Sequence, residues 1–350
     1  MGRRICICVN RVPFAYGGAE MLVESLRDQL VARGHEVEVV AVPFAWGTRT
    51  QLLKSALAWR LLDLNAAGGQ KIDLVIATRF PSYVVKHPNK VVWLIHQMRQ
   101  VYDLLGTPYS DFREDEPRDR KVIEMVRAMD RRTLSEARAV YTISGNVAER
   151  LKRFNNVAAI PLYPPPRLDG RYHPGGFGDY VFTAGRLDRL KRFDLLIRAL
   201  PHTETPVRCR IAGDGPERQT LEELAGKLGV RERVELLGWV EDDRMADLFA
   251  GSLAVFYAPY DEDYGYVTVE AFKSGKPVIT AADSGGVLEF VEDGRSGFIC
   301  PPDAPREIAA RLDALYRDRE KARRMGQGGL ERVAEIGWDK VIEQLLSQAG

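Results

Sequence analysis

The strongest constraint on this 350-residue chain is an alternation. Short runs rich in Val and Ile, "RICICVN", "EVEVVAV", "IDLVIAT", "KVVWLIH" and "RAVYTIS", are separated by longer amphipathic segments. Strands spaced by helix-length segments cannot be joined as tight hairpins. Each must cross over and re-enter beside its predecessor, which builds parallel βαβ units. A second series, "DYVFTAG", "VRCRIAG", "RVELLG", "LAVFYAP", "KPVIT" and "SGFIC", repeats the pattern. Between them lies "PLYPPPR", whose prolines Pro164 to Pro166 remove backbone donors and fix an extended path. The expectation is α/β, with two Rossmann-like domains facing each other across a cleft. The N-terminal domain should span 1–163, a proline-rich linker 164–177 and the C-terminal domain 178–335. A last helix, 336–350, could pack back on the first domain. Open parallel sheets take ligands beyond the carboxyl ends of their strands, so the working groups should gather there.

Several function classes drop out on composition. No apolar run approaches the roughly 20 residues that span a bilayer. The opening "MGRRICICVNRV" has too short an apolar part for a signal sequence and reads as a first strand. The four cysteines, Cys6, Cys8, Cys209 and Cys300, show no C-x-x-C or metal-ligand spacing, so reduced, buried thiols and a cytoplasmic location are expected. Net charge is +1, yet residues 1–165 carry 24 Lys+Arg against 17 Asp+Glu, and the remainder is acidic. A basic first half suits an anionic partner, such as lipid headgroups at the inner face of a plasma membrane, or is ordinary scatter. Nucleic acid is not indicated. In "TRTQLLKSALAWRLLDL", Leu52, Ala56 and Trp59 share one helical side, for either an interface or a core.

The chemistry-bearing residues follow the strands. Gly17 and Gly18 precede the first helix, where free backbone N–H groups could meet an anion. Arg186 follows a strand, and Lys191 stands five residues later at a helix start. Gly213 and Gly215 frame Asp214 in another strand–turn–helix junction, and glycine turns recur at Ser284 to Gly286 and Arg295 to Gly297. In "YDEDYGYVTVEAFKSGKPVIT", Glu262 lies on a loop before Gly265, and Glu270 falls within a helix from about Tyr266 to Lys273. A carboxylate among Val269, Ala271 and Phe272 needs donors, which a hydroxyl-bearing ligand would supply. His96 closes the fourth strand, and Arg79 and Arg99 lie just past strands.

Taken in order, these motifs resemble the group-one (family 4) retaining glycosyltransferases of GT-B fold. The seven residues between Glu262 and Glu270 match that family's E-x7-E signature, and the double glycine, "GRL…K", "GDGP" and "GGVLEFVEDGRSGF" agree over essentially the whole chain. The resemblance implies a nucleotide-sugar donor whose diphosphate is held by Arg186 and Lys191 and approached by Gly17 and Gly18. Glu270 would bind the ribose. Glu262 would face the transferred sugar, assisted by backbone at Gly265, Tyr266 and Val267. Gly238, Trp239 and Val240 would flank the base, and His96 would stand near the sugar. Arg79 and Arg99 are acceptor-side candidates.

The implied reaction moves a hexose with retained configuration from an NDP-sugar, UDP-hexose favoured over GDP-mannose, to a glycan or lipid-linked acceptor. Its transition state is oxocarbenium-like, and Arg186 and Lys191 stabilise the departing diphosphate. Three positions depart from the pattern: Tyr264 replaces a usual Phe, Arg192 stands where glycine is common, and Asp261 with Asp263 spells D-x-D. No metal or other cofactor is expected, because cations already serve the diphosphate. The chain would act as monomer or dimer. The alternatives are a sugar phosphorylase of the same fold and a non-catalytic nucleotide-sugar binder. An oxidoreductase would want G-x-G-x-x-G after the first strand, which "YGGAEM" lacks.

Overall fold

Each series of apolar runs forms its own parallel sheet in the computed structural model, which describes residues 2–14, 16–45 and 47–348. The first series gives β1 (Arg4–Arg11), α1 (Gly18–Ala32), β2 (Glu36–Pro43) and α2 (Arg49–Leu61). A two-residue ladder, β3 (Ala66–Ala67) and β4 (Gln70–Lys71), precedes β5 (Leu74–Ala77) and β6 (Lys90–Leu94). Then follow α3 (Pro117–Leu134), β7 (Ala139–Thr142), α4 (Gly145–Asn155) and β8 (Ile160–Pro161).

The six-stranded order is β2-β1-β5-β6-β7-β8, with every pair parallel. Strands β5 and β6 are buried throughout, as a sheet covered on both faces requires. Edge strand β2 alternates exposed and half-buried positions instead. Helix α1 buries Leu22, Val23, Leu26 and Leu30, one stripe at helical spacing. Helix α2 opens with a capping box between Thr48 and Gln51. Its Leu52, Ala56 and Trp59 are buried, so that side faces core, whereas Leu57 and Leu61 are exposed.

The second series gives β9 (Tyr180–Ala184), α5 (Phe193–Ala199), β10 (Arg208–Ala212), α6 (Arg218–Lys227), β11 (Val234–Gly238) and α7 (Asp242–Ala250). It continues with β12 (Ala254–Phe256), α8 (Tyr266–Lys273), β13 (Val278–Ala281), β14 (Gly297–Cys300), α9 (Pro305–Arg317) and α10 (Arg319–Arg332). Its order, β11-β10-β9-β12-β13-β14, grows outward one way from β9 and then the other way through β12. The carboxyl ends of β9 and β12 therefore flank the place where strand order reverses, the ligand crevice of such sheets. Val181, Leu196, Ile211, Phe256, Ile279 and Leu312 belong to the buried core around this sheet.

Two compact units result: Met1–Pro164 with Gly337–Gly350, and Pro165–Ile336. The proline-rich segment, expected to run as a linker, is tied into the second unit. Arg167 pairs with Asp242, Lys273 Nζ meets Asp169 at 2.6 Å, and the Tyr172 ring stands edge-on to Phe249. The last helix, α11 (Trp338–Ser347), belongs to the first unit. Tyr141 donates to the Gln344 carbonyl at 3.1 Å, and the Trp93 and Trp338 rings meet edge to face.

Candidate functional site

Polar side chains converge at the ends of β9 and β12. Gly185, at φ 146°, turns the chain out of β9 and leaves Arg186 exposed. Among the described residues its guanidinium has no hydrogen bond or ion pair. Asp188 then caps a single 3-10 turn, Arg189–Lys191, by accepting from the Lys191 amide at 3.2 Å. That turn aims Lys191 back over β12. Its ammonium forms an ion pair with Glu262 and donates to the Tyr257 hydroxyl at 3.1 Å, and that hydroxyl donates to Glu262 Oε2 at 3.0 Å. Burial alone would lower the pKa of Lys191; the Glu262 charge and Tyr257 more than reverse this and hold it above the usual lysine range. Burial and the same carboxylate push Tyr257 up.

The loop carrying Glu262 is fixed through its backbone. The Asp261 amide donates to the Asp283 carbonyl at 2.8 Å, and the Gly286 amide to the Glu262 carbonyl at 2.8 Å. Gly265 opens α8 at φ 89°, where a Cβ would stand 2.8 Å from Val287 Cγ2. The Tyr264 ring is buried, edge-on to Phe290 and Tyr266, so its exchange for Phe keeps the ring's packing. Val267 is buried, and Tyr266 is half-buried.

Glu270, also half-buried, lies one helical turn further along α8. Burial pushes its carboxyl up to about 7, while hydrogen bonding with Tyr172 and the Arg167 charge pull it down. Tyr172 is raised in turn by its own burial and by Glu270. No sequence signal marks Tyr172 or Tyr257, since one lies in the segment expected to be a linker and the other inside an apolar run.

The glycines of neighbouring loops interlock. The Gly185 amide donates to Ala212, and the Gly213 amide donates to Gly238 at 2.8 Å. A Cβ on Gly213 would fall 2.0 Å from the Gly185 carbonyl oxygen, so this glycine is demanded by packing. Beyond β11, Trp239 is exposed and Val240 buried.

In the first unit Gly17 caps α1 and Gly18 is its first residue. Gly17 is extended (φ −169°), and among the described residues a Cβ there would approach only Glu20 Oε2, at 3.9 Å. Among those residues nothing demands glycine at that position. His96 is half-buried past β6, its Nδ1 2.7 Å from the Gln97 carbonyl. Arg79 is buried, donating to Asn10 Oδ1 at 3.0 Å and Glu20 Oε1 at 2.5 Å, so it braces the start of α1. Arg99 donates to Asp103 at 2.8 Å.

The D-x-D pair gains no further ligands: among the described residues no three His, Cys, Asp or Glu side chains converge as a metal site. All four cysteines are free and buried. Arg192, which stands where glycine is common, turns its guanidinium inward onto Asp283.

Comparison with known proteins adds to this geometry. Residues 178–332 match the model of the family described as glycosyl transferases group 1. A D-inositol 3-phosphate glycosyltransferase of Nocardia farcinica is 30% identical over 65% of this chain and 53% of its own length. The chain thus spans about half the length of that curated relative. An uncharacterized glycosyltransferase of Methanocaldococcus jannaschii is 24% identical, over 96% of this chain and 94% of its own. Among solved structures, the sucrose-phosphate synthase of Thermosynechococcus elongatus superposes with a TM-score of 0.79 at 19% identity, covering 99% of both chains. Anabaena HepE in complex with UDP and glucose gives 0.72 at 19% identity, again over 99% of both. These likenesses identify the fold as GT-B.

Proposed function

We propose that this chain, whose residues 178–332 match the family model of the group 1 glycosyl transferases, moves a hexose from an NDP-sugar to a hydroxyl of a glycan or lipid-linked acceptor with retained configuration. A UDP-hexose is favoured over GDP-mannose as donor. One observation carries the reading: Lys191, Tyr257 and Glu262 meet at the strand-order reversal, where a nucleotide is expected in such a sheet. Arg186 and Lys191 are assigned the diphosphate, and Glu270 the ribose. Glu262 orients the hydroxyls of the transferred sugar. Gly213, Gly238, Trp239 and Val240 border the base, and Gly265 to Val267 offer backbone groups at the start of α8.

Charge develops on the departing diphosphate as the glycosidic bond stretches. Arg186, Lys191 and the α8 N-terminus stabilise that charge. The diphosphate is then able to take the acceptor's proton on the same face. Catalysis needs no metal in this reading, so turnover should persist in a chelator. His96, Arg79 and Arg99 are assigned to the sugar and acceptor side; Arg79 would act through the Glu20 and Asn10 it braces.

Among the described residues no helix is long and apolar enough to cross a membrane. The charge excess of residues 1–165 and the exposed Leu57 and Leu61 support peripheral contact with anionic lipid. Liposome sedimentation at low and high salt tests this part: pelleting should be lost at high salt. The enzymatic claim is tested by a calorimetric panel of nucleotides and NDP-sugars, followed by NMR of the released or transferred sugar. Uptake of UDP or GDP without cleavage of any NDP-sugar, with any acceptor, would leave a binder and no enzyme.

A further inference from the structure

Arg192 sits in the left-handed region, φ 51° and ψ 41°, between the 3-10 turn that carries Lys191 and helix α5. A side chain there is unfavourable by about 1 kcal/mol relative to glycine, and this chain keeps one. The guanidinium explains why. Nε donates to the Ala258 carbonyl at 2.7 Å, and Nη2 to the Pro259 carbonyl at 2.9 Å. Nη1 and Nη2 also form a two-pronged contact with the Asp283 carboxylate, at 2.8 and 2.6 Å. The side chain of Arg192 is only 14% exposed.

These partners enclose the Glu262 loop. Ala258 and Pro259 lead into it from β12. Asp283 lies past β13, and its carbonyl accepts the Asp261 amide at 2.8 Å. The next residue, Ser284, accepts the Glu262 amide at 3.3 Å, while the Tyr260 amide returns to the Leu190 carbonyl at 2.8 Å. Asp261 itself adopts φ 41°, a conformation that needs outside support. Lys191 and Arg192 thus act on one loop from consecutive positions, Lys191 on the Glu262 side chain and Arg192 on the backbone leading to it.

We infer that Arg192 is a positioning residue: through its fork to Asp283 and its bonds to Ala258 and Pro259 it sets the place of Glu262 against the transferred sugar. The inference rests on the reading of this site as a nucleotide-sugar site. Arg192 touches no diphosphate in this account, so its removal should spare nucleotide capture and impair the step that depends on Glu262.

Arg192→Gly suits the backbone conformation and so should fold. Three measurements on the full chain separate the outcomes. Hydrogen exchange of the amides of 260–262 should rise in Arg192→Gly and in Asp283→Asn. The Kd for UDP should stay within about twofold of the parent, while kcat for the cleaved NDP-sugar falls by about tenfold or more at little-changed KM. The double variant should be no worse than the poorer single, because the two residues form one unit. Arg192→Lys, which keeps charge but not the fork, should fail to rescue. Parental kcat in Arg192→Gly, or unchanged exchange at 260–262, would overturn the inference. A parent that binds no nucleotide would instead overturn the nucleotide-sugar reading, and with it the role assigned here, while the exchange arm still reports whether Arg192 fixes the loop.

Discussion

The ammonium of Lys191 and the carboxylate of Glu262, 71 residues apart in the chain, form an ion pair that the Tyr257 hydroxyl joins from 3.0 and 3.1 Å. In the proposed function both members have other work, Lys191 on the diphosphate and Glu262 on the sugar. A bound nucleotide must therefore compete with Glu262 for Lys191. Glu262→Gln removes the competing charge and should tighten UDP by about threefold or more, while lowering NDP-sugar turnover by about a hundredfold. Titration calorimetry beside a turnover assay checks both. Weaker UDP binding in Glu262→Gln would show that the pair does not oppose the nucleotide.

Glu270 supplies a pH signature. Burial disfavours the charge and pushes its carboxyl up to about 7, above the usual carboxylate range. Ribose hydroxyls donate to the ionised form, so UDP affinity should rise as pH increases from about 6 to about 8, with proton release on binding. Glu270→Gln should bind UDP more weakly and lose that dependence. Calorimetry in two buffers of different ionisation enthalpy reads the proton directly.

A second buried carboxyl belongs to the fold. Asp130 has no exposed surface and accepts from Tyr102 at 2.8 Å; burial pushes it up to about 7, against the hydrogen bond from Tyr102. Its folded-state pKa lies above the unfolded value. Its contribution to stability is therefore greatest below the ordinary carboxylate range and is lost as pH rises from about 4 to about 7. Asp130→Asn should flatten that slope in thermal unfolding, and Tyr102→Phe should destabilise by about 1–3 kcal/mol at acid pH.

Two glycines should separate folding from function. Gly213→Ala forces a Cβ within 2.0 Å of a carbonyl oxygen and should lower the melting temperature sharply. Among the described residues a Cβ on Gly17 meets nothing closer than 3.9 Å, so Gly17→Ala should fold like the parent, yet lose NDP-sugar turnover by about tenfold or more. Circular dichroism melts and turnover on the same preparations decide it.

Much of this was legible because periodicity reports burial. Runs such as "KVVWLIH" are apolar on both sides of the strand, and β6 is buried throughout. Glu270 stood out because it broke the largely apolar run from Val267 to Phe272, whereas Lys191 and Glu262 stood out by their places past strand ends and by the family resemblance. What stayed dark depends on contacts between distant positions. The Arg79 bond to Glu20 spans 59 residues, and no local pattern marks it. Tyr172 looked like part of a spacer because prolines dominate that segment; its ring finds Phe249 only once α7 is in place. Arg192 broke a local preference, and the reason lies 91 residues away at Asp283.

Calorimetric titration of UDP and GDP into the parent, Arg186→Ala and Glu270→Ala tests the account at its root. Each variant should keep its melting profile and lose about tenfold or more in affinity for whichever nucleotide the parent binds. Parental affinity in both variants would contradict the placement of the nucleotide at the ends of β9 and β12.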